Sequence, residues 1–246
     1  MKTPLLASAA ITAAALLAAA LPSVAQAELS YNVGVTTDYR YRGISQTRLN
    51  PALQGGLDFT EGGFYLGAWA STIQWIKDAK GDASVEIDLY GGYKGELSPG
   101  LGYDVGLLTY QYPSNKLSPS ANTTEIYGAL SFGPATLKYS HSVSNLFGFA
   151  GSKNSGYLDL SAGFEVGGGV TLTPHLGYQN VAHNGGYSYT DYSLTASMDV
   201  AKGLTLSGAL VGASTKTVAG AKAYASAANG KDLGKAGIVL GLKYAF

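Results

Sequence analysis

Residues 29–42 read Leu-Ser-Tyr-Asn-Val-Gly-Val-Thr-Thr-Asp-Tyr-Arg-Tyr-Arg. In an extended chain successive side chains point to opposite sides, so the segment sorts into two faces. Leu29, Tyr31, Val33, Val35, Tyr39 and Tyr41 share one face, and Asn32, Gly34, Thr36, Asp38, Arg40 and Arg42 share the other. The first face carries no charge and the second carries three. A strand with one greasy and one charged side sits between an apolar medium and a wet one.

The pattern recurs along the chain. Val85, Ile87 and Leu89 oppose Glu86, Asp88 and Tyr90, while Tyr103, Val105 and Leu107 oppose Gly102, Asp104 and Gly106. Leu158, Leu160, Ala162 and Phe164 oppose Asp159, Ser161, Gly163 and Glu165; Tyr192, Leu194, Ala196 and Met198 oppose Ser193, Thr195, Ser197 and Asp199. The spacing predicts twelve strands, at 29–42, 52–60, 64–76, 83–94, 101–112, 123–132, 135–145, 156–166, 170–179, 190–200, 203–214 and 236–246. Most have the length of a tilted membrane-crossing strand, roughly ten residues. Segment 64–76 is apolar on both sides, with Trp69 on one and Leu66 on the other, so its orientation is left open.

Connections between these strands alternate. Tight turns such as Glu61-Gly62-Gly63, Gly133-Pro134 and Gly167-Gly168-Gly169 alternate with longer links at 43–51, 77–82, 113–122, 146–155, 180–189 and 215–235. Short turns at one end and long loops at the other characterise bacterial outer-membrane barrels. Cost decides which face meets lipid: a basic side chain at the bilayer midplane costs about 2–4 kcal/mol. The uncharged faces therefore point outward. A soluble ligand-binding barrel would turn them inward.

Composition agrees. Of 246 residues 13% are charged, against roughly 25% in soluble domains. A mean hydropathy of +0.08 is too polar for a helical membrane bundle. With no cysteine, disulfide frameworks, thiol nucleophiles and Cys-based zinc sites are excluded. Sixteen basic residues balance sixteen acidic ones, leaving no basic footprint for nucleic acid.

At the N-terminus, Lys2 precedes an apolar run from Leu5 to Leu21, broken by Pro22 and followed by Ala25-Gln26-Ala27. This is the layout of a secretory signal peptide, residues 1–27, cleaved after a small-x-small site formed by Ala25 and Ala27. An uncleaved anchor is the other reading of the same run. At the opposite end Leu240, Leu242, Tyr244 and Phe246 alternate, and Phe246 is terminal. A final strand ending in an aromatic, here Tyr244 and Phe246, fits an assembly signal for the barrel-assembly machinery.

Residues 37–47, Thr-Asp-Tyr-Arg-Tyr-Arg-Gly-Ile-Ser-Gln-Thr, are followed by Pro51-Ala52 and Gln54-Gly55-Gly56-Leu57-Asp58. With Glu86-Ile87-Asp88-Leu89-Tyr90-Gly91-Gly92-Tyr93 and Tyr103-Asp104-Val105-Gly106, this stretch resembles the TorF-type outer-membrane porins of proteobacteria. The resemblance covers about residues 30 to 166 and rests most on the Arg-Gly-Ile-Ser-Gln-Thr block. It implies an outer-membrane barrel with a porin role and brings no catalytic residues.

Asp38, Arg40 and Arg42 fall on one polar face, with alternate residues about 7 Å apart. They fit either a charged constriction or a lumenal ion-pair network that props the wall. The other candidates for the pore lining are Asp58, Glu86, Asp88, Asp104, Glu125, Lys138, Asp159, Asp199 and Lys243. Glu165 also falls on a polar face. The aromatics Tyr31, Tyr39, Tyr41, Tyr65, Trp69, Trp75, Tyr90, Tyr93, Tyr103, Tyr110, Tyr112 and Tyr244 read mainly as interfacial girdles. A lumenal aromatic slide is the alternative, favoured at Tyr90 and Tyr110.

Catalysis finds little support. An outer-membrane phospholipase sets a His and a Ser two apart on one outward face. Here His141 is followed at that spacing by Val143, with Ser142 and Ser144 on the opposite side. His175 and His183 have no metal-ligand spacing. The expectation is an all-β transmembrane antiparallel up-and-down β-barrel spanning 28–246. It passively conducts small hydrophilic solutes, without cofactor or metal. Its partners are outer-membrane lipid, the assembly machinery, small polar solutes and, where it forms an oligomer, its own copies. A non-conducting structural or adhesive barrel is the alternative, and a lipid hydrolase ranks last.

Overall fold

The computed structural model describes residues 27–246. The expected leader, including Ala25, lies outside the described residues; Ala27 is the first of them and is exposed. The twelve wall strands are β1 (Glu28–Thr36), β2 (Ala52–Glu61), β3 (Phe64–Thr72), β4 (Val85–Ser98), β5 (Leu101–Gln111), β6 (Thr123–Phe132), β7 (Ala135–Ser142), β8 (Gly156–Ala162), β9 (Val170–Asn180), β10 (Tyr189–Ala201), β11 (Leu204–Ser214) and β12 (Gly237–Ala245). After Gly163, β8 resumes as a short pairing over Phe164–Glu165.

Each strand pairs antiparallel with the next. The sheet closes where β1 meets β12, with Asn32 opposite Ala245 and Thr36 opposite Gly241. Closure leaves no strand edge, which a membrane interior would not tolerate. Tight turns at one end use residues with left-handed backbone, such as Gly62 (φ 60°) and Gly203 (φ 73°). All the long connections leave from the other end.

The outer surface is apolar. Leu66 is 63% and Ile238 71% exposed, whereas Glu86 and Asp191 are each 1% exposed. Burial is thus inverted relative to a soluble protein. Outward positions along the strands are mostly apolar or glycine; polar residues there, such as Thr72, Gln111, Thr124, His141 and Asn180, sit at the loop end, and Glu61 at the turn end of β2. This follows from the cost of placing charge in hydrocarbon. β3, left open from sequence, turns Phe64 and Leu66 outward and Tyr65, Trp69 and Ser71 inward.

Two expectations are corrected. The first strand ends at Thr36, not at residue 42: segment 37–51 leaves the wall and folds into the barrel, carrying a two-residue hairpin of Arg40–Tyr41 against Ile44–Ser45. Tyr39 is consequently 1% exposed instead of facing lipid. β3 likewise stops at Thr72, and the chain forms a helical turn, Trp75–Asp78, whose Ile76 is buried. Within the loop end of the barrel Tyr39, Trp69, Ile73, Ile76, Tyr110 and Tyr112 pack into an apolar cluster, flanked by Tyr41, Trp75 and Phe147. The girdle reading therefore fits Tyr31, Tyr93, Tyr103 and Tyr244, on outward faces, but not Tyr39, Tyr41, Tyr65, Trp69, Trp75 or Tyr112, which lie inside the barrel or its loop end, and Tyr90 and Tyr110 point inward as expected.

Candidate functional site: a lumen crossed by an infolded loop

Segment 37–51 spans the lumen because its polar side chains find partners on several walls. Asp38 accepts from Ser45 Oγ at 2.5 Å and Thr47 Oγ1 at 3.1 Å, and pairs with Arg40. The Arg40 guanidinium also donates to the carbonyls of Gly43 (3.0 Å), Leu233 (3.1 Å) and Lys235 (3.1 Å). This ties the infolded hairpin to the last long loop. Arg48 donates to Asp78 at 2.9 Å, and Asp78 accepts from Ser226 at 2.9 Å, so three loops meet there.

Arg42 sits in the left-handed region (φ 45°), which turns its side chain across the barrel. Two parallel bonds reach Glu125 on β6, Nη1 to Oε1 at 3.0 Å and Nη2 to Oε2 at 2.7 Å, and a third reaches Gln179 on β9 at 2.7 Å. The guanidinium lies 4.1 Å from the Tyr157 ring centroid and 4.8 Å from that of Tyr41. Such fork geometry is specific to arginine. Gly43 follows with no room to spare: a methyl group there would lie 2.7 Å from Asp191 Cβ.

Below Arg42 a second network continues. The Tyr157 hydroxyl donates to Asp191 at 3.1 Å and lies 3.1 Å from His175 Nε2, which contacts Asp159 at 2.7 Å. Tyr39 donates to Glu86 at 2.6 Å, Tyr90 to Asp58 at 2.5 Å and Tyr65 to Asp104 at 2.6 Å. The Lys138 ammonium rests 3.8 Å from the Tyr127 ring centroid. Asp88 is 2% exposed, and its Oδ1 has no hydrogen-bond partner among the described residues. Asp199 stands at the exposed turn end, accepting from Thr205 at 2.6 Å, and Lys243 lies on the inner face of β12 opposite Gly34. Glu165 accepts from Thr171 at 2.7 Å. On the exposed loops, the hydrogen bond from Lys116 at 2.7 Å holds the Asp82 carboxyl below the usual carboxylate range.

Asp38 and Arg40 thus pair, whereas Arg42 bonds to Glu125 and Gln179 instead; all three lie on a loop inside the barrel rather than on a strand face. Sequence reasoning missed Asp191, His175, Tyr157 and Gln179. Asp191 follows the same parity as Ser193 and Thr195 and was legible; His175 was weighed only as a metal ligand. Among the described residues no cluster of His, Asp and Glu has metal-binding geometry. His141 points outward and meets Tyr139 and Asn154, not a serine. At the seam, Tyr31 and Phe246 exchange backbone hydrogen bonds of 3.0 Å, and their rings stack at 5.8 Å, as do Tyr244 and Phe246 at 5.7 Å.

A family model described as a bacterial protein of unknown function, Gcw_chp, matches residues 20–246. The chain belongs to the Gcw_chp family. No curated protein matches this Gcw_chp chain. Among solved structures it is similar to the KdgM porin in complex with disordered oligogalacturonate, at 10% identity and a TM-score of 0.58, covering 90% of this chain and 99% of that one. It is also similar to the NanC porin, at 14% identity and a TM-score of 0.54, covering 89% and 99%. At such identities the likeness is one of fold. Together with the apolar outer surface it makes this Gcw_chp chain a porin-like barrel of the Gram-negative outer membrane.

Proposed function

We propose that the chain is a TorF-type porin through which small hydrophilic solutes diffuse passively, with its narrowest point at Arg42. The reading is carried by one observation: the interior of a closed membrane barrel is lined by charged and hydroxyl side chains, and a single arginine reaches across it to Glu125 and Gln179. Ring-like charge placement at a constriction selects solutes by size and sign. Asp58, Glu86, Asp88, Asp104, Glu125, Asp159 and Asp199 outnumber Arg40, Arg42, Lys138 and Lys243, which favours cations and neutral solutes over anions.

Residues 1–27 direct export and are removed, and Tyr244 with Phe246 forms the signal read by the barrel-assembly machinery. Recording from the purified barrel in planar lipid bilayers tests the channel. Stepwise currents with a preference for cations are expected. A folded barrel that stays silent, as the apolar cluster around Tyr39 and Trp69 would make it if immobile, would favour the structural or adhesive reading.

A further inference from the structure

The half of the lumen nearer the short turns carries an arrangement that neither the fold nor the channel reading explains. In the sheet register Tyr65, Gly92, Gly106 and Tyr127 stand side by side on β3, β4, β5 and β6. Each tyrosine reaches over the glycine beside it, with its hydroxyl and the ring carbon that bears it where a side chain there would stand. A methyl group on Gly92 would come 2.4 Å from the Tyr65 hydroxyl, and one on Gly106 would come 2.5 Å from that of Tyr127. The two hydroxyls meet between the rings. One step toward the loop end, Tyr90 covers Gly67 in the same way, with ring carbons 2.4 Å from a methyl built there.

Rings reaching over glycines leave the bore wide and turn one face to the lumen. Tyr65, Tyr90 and Tyr127 are all partly exposed there. The Lys138 ammonium covers Tyr127 at 3.8 Å, whereas the Lys94 ammonium stands 5.9 Å from the Tyr65 ring centroid, far enough to leave the faces of Tyr65 and Tyr90 the more accessible ones. Asp104 and Asp58 hold these two rings by their hydroxyls and keep further lone pairs for a ligand. Flat aromatic faces bordered by carboxylates and an ammonium have a matching ligand chemistry. The C–H face of a pyranose stacks on the ring, while its equatorial hydroxyls donate to carboxylate and accept from ammonium. The two carboxylates are matched by two ammoniums, Lys94 opposite Asp104 in the sheet and Lys138 over Tyr127, and a wall with its charges balanced in this way suits a neutral sugar better than an acidic one.

We infer that Tyr65 and Tyr90, with Asp58, Asp104 and Lys138, form a binding subsite for a neutral saccharide on the lumenal wall. The inference rests on the channel reading only for how the sugar arrives and leaves. Calorimetric titration of the full-length, detergent-purified barrel with maltotriose tests it, with sorbitol as a polyol lacking a ring. Maltotriose is expected to bind and sorbitol not. Tyr90→Ala and Tyr65→Ala should each weaken maltotriose about fivefold, the loss of about 1 kcal/mol for one ring face. Tyr65→Phe, which keeps the ring, should lose less than Tyr65→Ala. Heat-modifiable migration on gels checks that each variant is folded, and if an alanine variant fails to fold, Tyr65→Phe against Tyr65→Leu gives the same comparison. Equal binding of sorbitol and maltotriose, no binding of either, or indifference to loss of the rings would overturn the subsite. A silent bilayer with maltotriose binding intact would overturn the channel and leave the subsite standing.

Discussion

Arg42 and Glu125 face each other across the barrel in a two-bond fork of 3.0 and 2.7 Å, with side chains 7% and 2% exposed. The pair joins an infolded loop to the wall opposite its root. Removing one member strands the other in a dry site, and breaking such a buried pair costs about 3–5 kcal/mol.

Arg42→Ala is therefore expected to lower barrel stability by an amount of that order and to raise single-channel conductance, because the loop loses its far anchor. Urea unfolding in detergent and planar-bilayer recording measure the two effects. Exchanging the charges, Arg42→Glu with Glu125→Arg, should recover part of the stability that either change alone removes. Two single losses that simply add would mean the residues are not coupled.

Arg40 holds the same loop at its near side, through Asp38 and the carbonyls of Leu233 and Lys235. Arg40→Ala should free both segment 37–51 and the loop at 215–236 while the wall stays intact. Limited proteolysis of the refolded protein should then cut within those segments much faster than in the parent, with unchanged heat-modifiability. An unchanged cleavage pattern would remove Arg40 from this role.

Asp88 presents a buried carboxylate oxygen without a donor among the described residues. Leaving a buried acceptor unsatisfied costs about 1–3 kcal/mol, more for a charged group. Asp88→Asn keeps the shape and supplies two N–H donors. It is expected to match or exceed the parent in urea stability and to reduce cation preference in reversal-potential measurements. Marked destabilisation would mean that the carboxylate is compensated by a group the geometry does not reveal.

Gly67 is the floor under Tyr90. Gly67→Val places a branched side chain where the ring lies, so the ring must swing into the bore and give up Asp58. Reduced conductance with retained folding is the expected outcome. An unchanged current would place Tyr90 away from the conducting path.

The wall was legible because lipid imposes a strict rule on it. Along β4 and β8 every outward residue is apolar or glycine, so the period-two pattern of Val85–Leu89 and Leu158–Leu160 alone orients the strands. The infolded loop was not legible, because that rule does not bind it. Tyr39 and Tyr41 continue the alternation of Tyr31 and Val33 by residue type, yet the chain has already left the sheet at Thr36. Arg42 at φ 45° and Gly43 at φ 77° make the turn, and of these only the glycine hints at it in sequence. β3 looked apolar on both sides for a related reason. Trp69 points inward against Tyr39, with ring centroids 5.3 Å apart, so the interior is greasy at that level. The partners of Arg42 were out of reach because Glu125 and Gln179 are 83 and 137 residues away along the chain.

The central claim is that alternate residues of each strand see lipid and lumen. The chain has no cysteine, so single spin labels can be placed without background. Labels at Leu158 and Asp159 on β8, in barrels reconstituted into lipid vesicles, should respond oppositely to two relaxing agents. Oxygen, concentrated in hydrocarbon, should relax the Leu158 label more strongly, and a water-soluble nickel chelate the Asp159 label. Oxygen acting more strongly at Asp159 and the chelate at Leu158 would contradict the account.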